Sequence, residues 1–146
     1  MRLAMFQPDI PQNLGAAIRL CVCLGIGLDV IRPAAFPLDD RDLRRTAMDY
    51  ADAADITLHA GWQAFRAARA DSRLILMTTR AASDLHDFTF QPDDVLLMGR
   101  ESAGVPDAVH DSADARIRIP MATGARSLNV VTAAAMALGE AIRQIR

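Results

Sequence analysis

Apolar and polar positions along this chain change period repeatedly, from simple alternation to a three-or-four spacing and back. Arg2 to Gln7 alternates and meets Pro8, which predicts a strand running into the loop Pro8-Asp9-Ile10-Pro11-Gln12-Asn13, with Pro11 suited to a first helical turn. Leu14, Ala17, Ile18, Cys21, Val22 and Gly25 then fall three or four apart, predicting an amphipathic helix that stops at Gly25. Leu28 to Ile31 reads as a second strand closed by Arg32-Pro33, so the opening segment has the βαβ rhythm of a parallel sheet. A helix is predicted over Asp39 to Asp55, a strand over Ile56 to His59 and a helix over Trp62 to Ala70. Arg73 to Thr79 is a strand whose continuous apolar centre suits burial on both faces. Ala81 to Asp94 is polar and irregular and reads as a loop. Strands over Val95 to Met98 and Ala115 to Ile119 flank a short helix from Pro106 to Ser112. The last helix carries a stripe of Leu128, Val131, Ala135, Leu138, Ile142 and Ile145. Its other side shows Ala133, Ala134, Ala137 and Ala141, small enough for close approach by another element or another subunit. The expected fold is α/β, a mainly parallel sheet flanked by helices.

Composition narrows the class without changing this layout. The chain has 146 residues, 51% hydrophobic and 23% charged, which fits one globular domain over 1–146 and no second. No apolar run reaches the length of a membrane span, and the first residues lack the apolar core of an export signal, so a cytoplasmic protein without membrane contact is expected. Cys21 and Cys23 point to different helical faces and read as buried free thiols rather than a disulfide or metal pair. The net charge of −2 argues against a uniformly nucleic-acid-binding surface but not against a local basic patch. All sixteen basic residues are Arg, whose rigid fork grips phosphate in two places.

Candidate chemistry gathers after two of the later strands. Gly99-Arg100-Glu101-Ser102-Ala103-Gly104-Val105-Pro106 follows one, and Pro120-Met121 through Ala125-Arg126-Ser127-Leu128-Asn129 follows the next, a layout that suits a small-molecule pocket at strand ends. Gly25-Ile26-Gly27 lies after a helix and before a strand, the reverse of a dinucleotide fingerprint, and is rejected as one. His59, His86 and His110 are scattered without an acidic partner at ligand spacing, so no metal is expected. Tyr50 has the ring to stack on a base, whereas Trp62 opens a predicted helix and reads as packed.

Taken together, Asn13-Leu14-Gly15-Ala16-Ala17-Ile18-Arg19, then Gly99 to Pro106, then Ile117-Arg118-Ile119-Pro120-Met121 with Arg126-Ser127-Leu128-Asn129 resemble the three signature motifs of the SPOUT superfamily, the trefoil-knotted methyltransferases. Pro8 to Asn13 and the stretch from Arg44-Arg45 to Asp49-Tyr50 resemble, within it, the bacterial tRNA (cytidine(34)-2′-O)-methyltransferases. The resemblance implies a deep C-terminal trefoil knot, a feature otherwise nearly absent from proteins. It also implies S-adenosylmethionine as cofactor and 2′-O-methylation of the wobble nucleoside of tRNA, cytidine or uridine 34. Cofactor contacts are implied at Met77, Gly99, Ile119, Ser127 and Leu128, and a reacting set at Asn13, Arg19, Glu101, Ser127 and Asn129.

Methyl transfer from a sulfonium needs alignment and help for a departing proton, but no metal and no protein nucleophile. Arg19 follows Gly15 by four residues on one helical face, where the missing Cβ leaves room for a phosphate or ribose beneath the guanidinium. An arginine is a poor proton acceptor, so Arg19 is read as a phosphate grip that orients substrate. Glu101 is placed to hold Arg19 or Asn13, and Ser127 with Asn129 opens the last helix, as caps or as ligand donors. A homodimer is implied, with Arg41, Arg44, Arg45, Arg100, Arg126, Arg143 and Arg146 as candidate RNA phosphate contacts. The alternatives are a related ribose methyltransferase acting on another tRNA position or on rRNA, and a non-catalytic RNA-binding knot protein. One departure stands out: family members often read Pro-Glu-Thr-Arg-Gly after the first Gly of the second motif, whereas here Arg100-Glu101-Ser102-Ala103-Gly104 moves the arginine from fourth place to first.

Overall fold

The structure, a computed structural model, describes residues 1–38, 50 and 53–146. Seven strands form one parallel sheet: β1 (Arg2–Phe6), β2 (Gly27–Ile31), β3 (Ile56–His59), β4 (Leu74–Met77), β5 (Ser83–Asp84), β6 (Val95–Met98) and β7 (Ala115–Arg118). Their spatial order is β3-β2-β1-β6-β4-β7-β5. The helices are α1 (Pro11–Leu24), α2 (Trp62–Ala68), α3 (Asp107–Asp111) and α4 (Val130–Ile145), with a 3-10 turn at Leu85–Asp87. The expected α/β class and parallel sheet are present. The helix expected over Asp39 to Asp55, with Arg41, Arg44 and Arg45, lies outside the described residues apart from Tyr50 and 53–55.

Period and burial explain the layering. Residues at alternate strand positions face opposite layers: Leu3, Met5, Leu28, Val30, Leu96 and Met98 pack under α1 and α4. Ala4, Phe6, Ile31, Leu74, Leu76 and Leu97 pack against Phe65 of α2 and Val109 of α3. The sheet is therefore buried on both sides, and polar groups that function needs must sit at strand ends. Strand β6 enters between β1 and β4, so connections leave the central strands in opposite directions and open a crevice at their carboxyl ends.

One open alternative is decided and two expectations change. Ala133, Ala134, Ala137 and Ala141 are the buried face of α4, packed together with Leu138 in the same core as α1's Leu14, Ala17, Ile18 and Cys21, so the small residues serve close packing within this chain. Cys23 is exposed, while Cys21 is buried and its thiol is pushed up to about 12 by burial. The segment taken as a loop over Ala81 to Asp94 contains β5 and the 3-10 turn.

Candidate active site

Loops after β1, β4, β6 and β7 meet the first turn of α4 around one cavity of about 810 Å³ at the carboxyl edge of the sheet. Met77 and Thr78 come from the end of β4, Ile119 and Met121 follow β7, and Ser127 to Val130 lead into α4. Five expected cofactor contacts, Met77, Gly99, Ile119, Ser127 and Leu128, all line this space, as do Asn13, Glu101 and Asn129. Side chains scattered over more than a hundred residues are thus brought together.

The loop after β6 is a tight hairpin. Arg100 and Gly104 exchange both backbone hydrogen bonds, each 2.9 Å. A Cβ on Gly99 would lie 2.8 Å from both Cα and C of Gly104, closer than carbon atoms tolerate, so only glycine lets this hairpin fold back on the strand end.

Polar groups across the cavity are wired in one direction. The Glu101 carboxylate accepts from the Asp9 backbone N–H at 2.8 Å and from the Asn13 side-chain amide at 2.9 Å. The Asn13 carbonyl oxygen accepts from the Asn129 amide at 3.0 Å, and Asn129 Oδ1 accepts from the N–H groups of Val131 and Thr132 at 2.9 and 3.2 Å. Both ends fix the polarity: a carboxylate only accepts, and the free amides of α4 only donate, so each asparagine has one consistent orientation. Asn129 is therefore the N-cap of α4 as well as a cavity residue.

Arg100 lines the cavity but is occupied by Asp9, donating to Oδ1 from Nη2 at 2.7 Å and from Nε at 3.2 Å. Hydrogen bonds from Arg100, then from Ser102, hold the Asp9 carboxyl at about 2, well below the usual range. Arg19 lies on the exposed side of α1, outside the cavity lining, with its guanidinium 5.2 Å from the centre of the Tyr50 ring. Glu101 thus holds Asn13, the second of its two expected partners. Ser127 and Arg126 are exposed at the cavity rim and just before it.

Among the other expected RNA contacts, Arg143 is engaged by Glu140 at 2.6 and 2.9 Å, and Arg146 donates to the Leu24 carbonyl at 3.0 Å. Arg41, Arg44 and Arg45 lie outside the described residues. Sequence reasoning missed Arg80 and Arg118, which line the cavity and are paired with Asp107 and Asp84 at 3.1 and 2.6 Å. The available signals were the place of Arg80 just beyond a predicted strand and that of Arg118 near the carboxyl end of another. Asp9 was also missed, although it sits in the loop that carried part of the resemblance.

Comparison with known proteins identifies the family. Residues 1–139 match the SpoU rRNA Methylase family. A tRNA (cytidine(34)-2′-O)-methyltransferase of Beijerinckia indica subsp. indica is 57% identical over 145 residues, 98% of this chain and 91% of that protein. A solved structure from work on the 2-OH methylation of C/U34 on tRNA superposes with a TM-score of 0.90 at 37% identity, covering 98% of this chain and 94% of the other. An AdoMet-bound rRNA methyltransferase from Sinorhizobium meliloti superposes with a TM-score of 0.86 at 30% identity, covering 99% of this chain and 56% of that one. With the signature motifs converging on one cavity and the family matched over 1–139, the chain belongs to the SpoU rRNA methylase family.

Proposed function

We propose that this chain is an S-adenosylmethionine-dependent methyltransferase acting on the ribose 2′-hydroxyl of the wobble nucleoside, cytidine or uridine 34, of tRNA. The observation that carries this is the hydrogen-bonded convergence of Asn13, Glu101 and Asn129 on a cavity that is also lined by strand ends, apolar side chains and the charged side chains of Arg80, Asp107 and Arg118. A space of about 810 Å³ falls within the range of small-molecule sites, and Gly99, packed against the Gly104 backbone, lets the hairpin form part of its wall. Met77, Gly99, Ile119, Ser127 and Leu128 would hold the cofactor, which supplies an electrophilic methyl group when bound. Asn13 and Asn129, each held in one orientation, are rigid groups against which a ribose can be aligned, and alignment is the main demand of such a displacement.

The reading extends to the whole chain as one domain over 1–146 with a deep trefoil knot at its C-terminal end. It is supported by β6 entering between β1 and β4 and by Gln144 of α4 bonding Phe88 and Phe90. It includes a homodimer: α4 uses its alanine face internally, which leaves the exposed face around Met136, 43% exposed, for a second subunit. Arg126 with Arg41, Arg44 and Arg45 are the phosphate contacts this reading retains, and the enzyme works in the cytoplasm, where its tRNA is. Among the described residues no helix is long and apolar enough to cross a membrane.

Methyl transfer from labelled cofactor to total tRNA, followed by nucleoside identification, tests the proposal. Label in 2′-O-methylcytidine or 2′-O-methyluridine at position 34 is expected. Label elsewhere in tRNA or in rRNA would replace the substrate, and a protein that binds no cofactor would be a non-catalytic RNA-binding relative. Gly99→Ala is expected to weaken cofactor binding by at least about tenfold in a calorimetric titration, because the new Cβ forces Gly104 away. Wild-type affinity in that variant would show that the hairpin does not shape the cofactor site.

A further inference from the structure

The second motif departs from its family pattern by placing arginine at position 100, and the structure gives that arginine an internal partner. Asp9 grips three consecutive residues of the hairpin. Its Oδ1 accepts from Arg100 Nη2 and Nε at 2.7 and 3.2 Å, and its Oδ2 accepts from the Ser102 backbone N–H at 3.1 Å and from the Ser102 hydroxyl. Its own N–H donates to Glu101 at 2.8 Å. The loop that presents Asp9 is itself unusual, since Gln7 has a φ of 47°, in the region that L residues rarely adopt. That turn follows directly on β1 and also brings Gln7 Oε1 to 3.5 Å from Arg100 Nη1. Strain of this kind persists where surrounding contacts hold it, and here the Gln7 N–H donates to the Ile31 carbonyl at 2.8 Å and the Pro8 carbonyl accepts from Ala35 at 3.1 Å, beside the contacts to the hairpin.

We propose that Asp9 is a positioning residue for methyl transfer, a latch that locks the hairpin at 99–104 through Arg100 and Ser102 and so fixes Glu101 against Asn13. This inference rests on the function proposed above. Asp9 does not act on substrate: its carboxylate is only 13% exposed and its two oxygens are filled by the hairpin. It acts on Glu101, the acceptor that sets the direction of the wiring to Asn13 and Asn129. Arg100, expected from sequence to contact RNA phosphate, is therefore a structural cation whose charge Asp9 neutralises. The arginine moved to the first place of the motif matches an acid in the loop after β1.

Asp9→Asn and Arg100→Met in the full chain separate the two roles of Arg100. Each is expected to lower kcat about a hundredfold, the scale of a misplacement near one ångström, with KM for tRNA and the cofactor dissociation constant held within about threefold. Because both remove one latch, the double variant should be no slower than the slower single variant. The salt dependence of tRNA affinity should be unchanged in Arg100→Met, whereas loss of a phosphate contact lowers the slope by about one. A lowered slope in Arg100→Met, or an unchanged kcat in Asp9→Asn, overturns the latch. A wild-type chain that transfers no methyl group to tRNA refutes the proposed function instead, and amide hydrogen exchange then decides the latch. The Ser102 and Gly104 amides should exchange faster in Asp9→Asn while those of β1 and β6 do not, and unchanged exchange in the hairpin overturns it. If Asp9→Asn melts early, Arg100→Met carries the same kcat and salt readouts.

Discussion

Alanine in place of Asp29 is expected to lower the melting temperature by roughly 10–15 °C, the shift that about 3–5 kcal/mol produces in a domain of this size. Asp29 stands in β2, opposite Ala4 of β1 and Thr57 of β3, and its side chain is fully buried. Arg2 reaches it at 2.8 Å, Arg69 at 2.8 and 3.1 Å, and His59 Nε2 lies 2.7 Å from Oδ1. Gly27 makes this possible, because a Cβ there would lie 2.0 Å from Arg2 Nη1 and block the guanidinium from both Asp29 and Asp55. Removing one partner of a buried ionic cluster costs far more than the net worth of the cluster, since the cations left behind keep their desolvation and lose their counterion. The loss is a large share of the roughly 5–15 kcal/mol that separates folded from unfolded domains.

The same cluster predicts a pH dependence. Burial by itself would raise the Asp29 carboxyl, but hydrogen bonds from Arg69, His59 and Arg2 outweigh it and hold the group below its ordinary value. A depressed folded pKa contributes stability that is complete above the unfolded value, near about 4, and is lost as pH falls through the lower folded value. The melting temperature of the wild-type chain should therefore fall below about pH 4 more steeply than that of Asp29→Asn. Parallel curves for the two, or a melting temperature for Asp29→Ala within about 3 °C of wild type, would show that the cluster is not a net support.

This cluster also marks where sequence reading ends. Period identified strands β1 to β4, β6 and β7 and the helices around them because each face of an element is written locally, at every second residue or every third and fourth. Strand β5 has two residues, too few to show a period. Which strands become neighbours is not written locally. His59 has no acidic partner at metal-ligand spacing in the sequence, and its partner in the fold, Asp29, lies beside it across two paired strands and thirty residues of chain. The pairing of Arg100, a candidate RNA contact, with Asp9 could not be read either, because the two are 91 positions apart. The cavity itself was legible, since Met77, Gly99, Ile119 and Ser127 are strand-end or loop residues that a parallel sheet brings to one edge. Arg19 was placed near the reaction by resemblance, and its position over the Tyr50 ring depends on tertiary contacts that helical spacing does not encode.

Loss of Glu101 should affect turnover more than any other single change in the cavity. Glu101→Ala is expected to lower kcat by about 10²–10³-fold in methyl transfer to tRNA, with cofactor affinity kept within about threefold. Glu101 ties the loop after β1 to the hairpin after β6 through one carboxylate, one oxygen to Asp9 and the other to Asn13. Without it the Asn13 amide loses its acceptor and is free to turn over, which would present its N–H donors to the Asn129 amide instead of its oxygen. Two donors would then face each other across the reacting side, and Asn129 could keep its cap on α4 only by giving up its contact with Asn13. Glu101→Gln distinguishes charge from connectivity. Its side chain has the same reach but one acceptor oxygen, so either Asp9 or Asn13 must face a donor, and a loss comparable to that of alanine is expected if the wiring is what matters. A glutamine variant with wild-type kcat would mean that Asn13 is held without the carboxylate, and the directional network would have to be given up as the basis of alignment.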